Sequence, residues 1–132
     1  MRKNGERFVE KKLTVIILIL VMSIQIVGCG GSSLSEYNTR VALRIINVTD
    51  SYLDGEISAS QAHSVLLEEY SKIRSGSEED SLEYRRDTLA FSQAALRIRM
   101  QLSSMAFDGG GDISTIEDAR NRIASLIGER RR

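Results

Sequence analysis

The chain has 132 residues, with 18 Lys+Arg against 18 Asp+Glu, one Cys, one His, no Pro and no Trp. That length holds one domain at most, and a single cysteine excludes an internal disulfide framework together with any cysteine-rich metal site. The zero net charge conceals an asymmetry, because residues 1–28 carry five bases and two acids while residues 29–132 carry 13 bases and 16 acids. A mildly acidic remainder argues against a nucleic-acid partner held through a basic face. With 40 apolar residues among the last 104, the chain is too apolar for disorder and too charged for a multi-span membrane protein.

The first segment reads as an address. Arg2, Lys3, Arg7, Lys11 and Lys12 precede Leu13–Val27, which is apolar except for Thr14, Ser23 and Gln25, and small residues follow at Gly28, Gly30 and Gly31. Positive charge, then an apolar run, then small residues is the construction of an export signal. A permanent membrane helix fits less well. Fifteen residues at about 1.5 Å each cover roughly 22 Å, short of a hydrocarbon core of roughly 30 Å.

The run ends in Ile26-Val27-Gly28-Cys29, which resembles the lipobox of bacterial lipoprotein signal peptides. In that family the cysteine sulfur receives a diacylglyceryl group and the leader is cut just before it. The resemblance covers residues 1–29 only, and it implies that Cys29 becomes the lipidated N-terminus and sole lipid-attachment residue of the mature chain. Two acyl chains suffice for stable anchoring, since each buried methylene contributes about 0.8 kcal/mol and a single chain holds only marginally. The expected organisation is a leader over 1–28, lipidated Cys29 with a Gly/Ser tether through 33, a helical domain over 34–128 and a basic tail over 129–132. The mature protein is then expected on the extracytoplasmic face of a bacterial cell membrane or outer membrane.

Beyond the tether the apolar spacing predicts four helices. Ser33 with Glu36 reads as a capping box opening the first, in which Leu34, Tyr37, Val41, Ile45, Val48 and Tyr52 form one stripe, with Glu36 and Arg40 as an i,i+4 pair outside. Asp54-Gly55 ends it. Ser58 with Gln61 opens the second, whose buried face is Ala59, Ala62, Leu66, Tyr70 and Ile73, with Lys72 and Arg74 at the negative end of its dipole.

The third helix is expected to open on Glu78, Glu79 and Asp80 and to be the longest. Tyr84, Thr88, Phe91, Ala95, Ile98, Leu102 and Met105 line one side, and Leu82, Leu89, Leu96 and Met100 line a second side roughly 155° away. Apolar on two sides, this helix is expected to have partners on both and to be the central element, or to turn one face to another copy of the chain. Asp108–Asp112 reads as a turn. Ser114 with Glu117 is a third capping box, before Ile116, Ala119, Ile123 and Ile127. No segment has the alternation of a strand. The fold class is therefore all-α, a bundle of helices of about 19, 16, 28 and 14 residues.

Candidate chemistry is sparse. Asp50 to Gln61 resembles an EF-hand calcium loop, with Asp50 and Asp54 in the first and fifth places, Gly55 in the sixth and Ile57 in the eighth. It departs from that loop at Tyr52, where an oxygen ligand is needed, and at Gln61, where a bidentate carboxylate completes the shell. A helix–turn–helix junction accounts for the same residues, and calcium or small-ligand binding is the alternative. His63 has no second histidine or cysteine for a transition metal, and no serine lies in a Gly-x-Ser-x-Gly elbow. Glu68-Glu69 and Glu78-Glu79-Asp80 read as solvated faces. Arginine outnumbers lysine 12 to 1 after Cys29, with Arg85 and Arg99 on one side of the third helix, suited to ion pairs within the bundle or to a partner. Arg130–Arg132 suit anionic head groups and equally a solvated basic tail.

No catalytic, metal or cofactor-binding residue is assigned. The functional expectation is a non-catalytic accessory or binding module, held to the membrane through Cys29 and acting on a membrane-proximal protein partner, with self-association possible and no nucleic acid involved.

Overall fold

The structure, a computed structural model, describes residues 34–76 and 80–132. Helices α1 (Glu36–Leu53), α2 (Ala59–Ser71), α3 (Leu82–Ser103) and α4 (Ile113–Leu126) follow one another, with a π-helical turn at Ser104–Asp108 closing α3. There is no strand among the described residues, so the all-helical fold read from the sequence is the one observed. Each helix packs on the next and α4 returns to α1, forming a ring in which α2 and α4 occupy opposite corners. The α3–α4 contact is the most extensive.

The inward stripes are those that the 3.6-residue period selects. Val41, Ile45, Leu66, Phe91, Ile98, Leu102, Ile116 and Ile123 are all fully buried, with alanines at 42, 62, 95 and 124 letting the backbones approach. Among the described residues Phe91 is the only aromatic ring wholly inside. Tyr52 is half-buried and donates its hydroxyl hydrogen to the Met105 sulfur at 2.7 Å.

Helix boundaries shift from the expected ones wherever a side chain offers a better cap. The N-cap of α1 is Ser35, whose hydroxyl accepts from the Asn38 amide at 3.0 Å; Ser33 lies outside the described residues. Helix α2 has the predicted reciprocal box, Ser58 accepting from Gln61 N–H and Gln61 accepting from Ser58 N–H. It stops at Ser71, however, so Lys72 is the C-cap and Arg74 lies beyond the last turn. The cause is Asn38. Fully buried, it donates to the Arg74 carbonyl at 2.8 Å and accepts from the Arg74 N–H at 3.0 Å, pulling that residue out of helical geometry.

Helix α3 starts after Ser81, which accepts from Tyr84 N–H at 3.1 Å. Asp80 therefore stands outside the helix, and residues 78 and 79 are not among those described. Helix α4 is capped by Asp112 rather than Ser114, because the carboxylate accepts from the Ser114 N–H and from both the Ser114 and Thr115 hydroxyls at 2.9–3.0 Å. The turn before it needs Gly111. Its φ is +102°, and a Cβ there would lie 2.6 Å from the Met105 side chain.

The largest correction concerns the second apolar side of α3. Leu82, Leu89, Leu96 and Met100 are 79%, 58%, 37% and 61% exposed, covered by no helix of the bundle. In a four-membered ring each helix has one inward face, so a second stripe has nowhere to go but outward. Truncating the two faces separates their roles: Phe91→Ala is expected to lower the unfolding free energy by about 4 kcal/mol and Leu89→Ala by no more than about 0.5 kcal/mol, read by equilibrium denaturation.

Candidate interaction face and the polar clamps around it

Cys29, the one site residue assigned from sequence, lies outside the described residues. Of the other candidates, the loop from Asp50 to Gln61 has the side-chain oxygens of Asp50, Asp54 and Gln61 engaged. Arg120, itself buried, grips both Asp50 carboxylate oxygens at 2.9 Å. Arg132 is ion-paired with Asp54 and lies 3.6 Å from Asp50. That guanidinium hydrogen bond holds the Asp54 carboxyl below its ordinary range and raises Arg132 above its own. Gln61 is occupied in capping α2. No group of three or more His, Cys, Asp or Glu residues suited to a metal occurs among the described residues.

The basic tail is likewise drawn onto the bundle. The Arg130 carbonyl accepts from Arg120 at 2.6 Å, and the Asn121 amide accepts from the Arg132 N–H at 2.8 Å. Arg132, expected at lipid head groups or in a solvated tail, therefore sits against the α1–α4 end of the ring.

Glu69 does not lie on a solvated face. It is buried between Arg44 of α1, which donates to it at 2.8 Å, and Lys72 at 3.1 Å. Burial alone raises its carboxyl's pKa, but the hydrogen bonds and charges of Arg44 and Lys72 outweigh that and leave it lowered. Glu68 fits the expectation, being exposed with Lys72 3.6 Å away. Only one of these two adjacent acids faces the neighbouring helix, as a 100° step requires.

His63 meets the ring of Phe107 edge-on, with centroids 5.6 Å apart. Together with Leu96, Arg99 and Met100 it borders a cleft of about 400 Å³. A second cleft of about 360 Å³ lies between Tyr70, Ile73, Gly76, Arg85 and Leu89. Both open beside the outward side of α3. Arg85 and Arg99 are on that side too, and neither has an ion-pair partner among the described residues, contrary to the expectation of pairing within the bundle. Arg99 instead sits over the Tyr70 ring, 5.3 Å from its centroid.

No protein-family model, curated protein or solved structure matches the chain.

The polar clamps give two tests. Asp50→Ala is expected to cost about 3 kcal/mol by leaving Arg120 buried without its carboxylate, whereas the paired replacement Asp50→Leu with Arg120→Met is expected to recover most of that in equilibrium denaturation. Glu69 is held below its unfolded value, so its contribution is complete above the ordinary Glu value of 4.5 and is lost as the pH falls through the lower folded value. Glu69→Gln is therefore expected to flatten the fall of melting temperature between about pH 5 and pH 3 relative to the parent.

Proposed function

We infer that the protein is a bacterial lipoprotein anchored on the extracytoplasmic face through Cys29, presenting its helical bundle as a non-catalytic accessory module. The observation that carries this reading is Ile26-Val27-Gly28-Cys29 at the end of a charged-then-apolar leader that holds the chain's only cysteine. No helix of the described residues is long and apolar enough to cross a membrane, and a lipid at Cys29 would anchor the chain without one. Its mechanism is localisation. Five residue steps from Cys29 to Leu34 reach at most about 18 Å, which confines the bundle to the lipid surface and raises its effective concentration for membrane-proximal partners.

The non-catalytic part rests on how the reactive groups are used. Asp50, Asp54 and Glu69 are bound by cations, and His63 packs on Phe107. Two measurements test the anchor. Mass spectrometry of the mature protein is expected to find residue 29 as the N-terminus carrying a diacylglyceryl adduct, and an unmodified cysteine or a retained leader refutes it. Cells fed a clickable fatty acid are expected to label the parent and to leave Cys29→Ala at background.

A further inference from the structure

We propose that the outward side of α3 is a lipid-docking ridge: Leu82, Leu89, Leu96 and Met100 enter the interface of an anionic phospholipid surface while Arg85, Arg86, Arg97 and Arg99 pair with its head groups. The proposal rests on the membrane attachment inferred above and adds the face that the bundle turns to the lipid.

The ridge spans eighteen residue steps, roughly 27 Å at helical rise, and its four apolar residues fall within about 40° of one another around the axis. Arg86 and Arg97 flank it on one side, Arg85 and Arg99 on the other. Three of these four guanidiniums form no ion pair among the described residues, and the fourth, Arg86, lies 3.9 Å from Asp87. An apolar stripe bordered by arginine on both sides is the pattern of helices that lie in a membrane interface.

Charge also selects among occupants. In an antiparallel pairing with a second copy that sets Leu89 opposite Leu96, like flanks meet, placing Arg86 beside the other copy's Arg97 and Arg85 beside its Arg99. A parallel pairing sets Arg86 beside Arg85 and Arg97 beside Arg99. Either arrangement opposes like charges along the whole seam, which disfavours self-association. An anionic surface satisfies all four.

The entry point of the chain agrees. Arg74 lies over the Tyr37 ring with its guanidinium 3.8 Å from the centroid, near the start of α1. Two residues on, Gly76 packs so closely on α3 that a Cβ there would be 2.9 Å from the Arg85 side chain. The tethered end of α1 is thus next to the Leu82 end of the ridge, so a short tether brings the ridge to the surface instead of holding it away.

The absence of tryptophan supplies the reporter. Leu96→Trp places a sole indole on the ridge, and Asn47→Trp, made separately, places one on the exposed side of α1. The chain as cells process it is reconstituted on vesicles of phosphatidylglycerol and phosphatidylcholine, and separately on phosphatidylcholine alone. On anionic vesicles the emission of the Leu96→Trp variant is expected to shift to the blue and to be quenched by brominated acyl chains, with that of the Asn47→Trp variant unchanged. Adding Arg86→Gln and Arg97→Gln to the ridge variant is expected to lower the docking equilibrium constant about 30-fold.

Unshifted, unquenched emission from the ridge indole on anionic vesicles overturns the proposal whether or not Cys29 carries lipid, and the mass of residue 29 reads the anchor separately. A blue shift that grows with protein concentration in detergent, without vesicles, overturns it in favour of a second copy. Equal quenching on both vesicle types overturns the role of the arginines.

Discussion

The guanidinium of Arg120 closed around the Asp50 carboxylate joins the last helix of this bundle to the first. Sequential helices find one another through short connections, but α4 must return to α1 across seventy positions of chain, the longest loop closed between any two packed helices of the ring. A core of aliphatic side chains and alanines around the Phe91 ring leaves a small margin. The fork adds direction where dispersion has none. It fixes the register of α4 on α1, and it recruits the Arg130 carbonyl and Asn121 to hold residues 130–132 over the same end.

A second clamp does the same work at the opposite end of α1. Asn38 reads like an ordinary polar residue on a helix, yet it supplies both hydrogen-bonding partners that the Arg74 backbone needs on leaving α2. Glu69, between Arg44 and Lys72, is the third of these groups. All three put a polar side chain out of water only where matching donors or acceptors meet it, and no buried side-chain nitrogen or oxygen of the described residues is left without a partner.

Much of the fold was legible in the spacing. Number and order of helices, the inward stripes and the Ser58–Gln61 box all follow from local rules that act within a few residues. What escaped was decided at a distance. The end of α2 depends on Asn38, 36 positions earlier, and the burial of Glu69 depends on Arg44, 25 positions earlier. Ser81 and Asp112 won as caps over neighbours that the same local rules also favoured, because a pattern of Ser and acid fits several adjacent frames. The second stripe of α3 was visible in sequence, but its periodicity states only that a face is apolar, and whether protein, lipid or a second copy meets it depends on how many helices the ring holds. Cys29 stands apart, its assignment resting on four letters and their leader rather than on packing.

The Asn38 clamp also sets how the bundle bears load. A pull on the chain ahead of Leu34 enters at the first turn of α1, where two side-chain hydrogen bonds tie that turn to Arg74 and stacking on Tyr37 reinforces them. Tension is shared between α1 and the segment leaving α2 before it reaches the aliphatic interior. A domain held at one end would resist fraying from that end only if its first turn were stitched to something other than itself, a stitch that Asn38 provides.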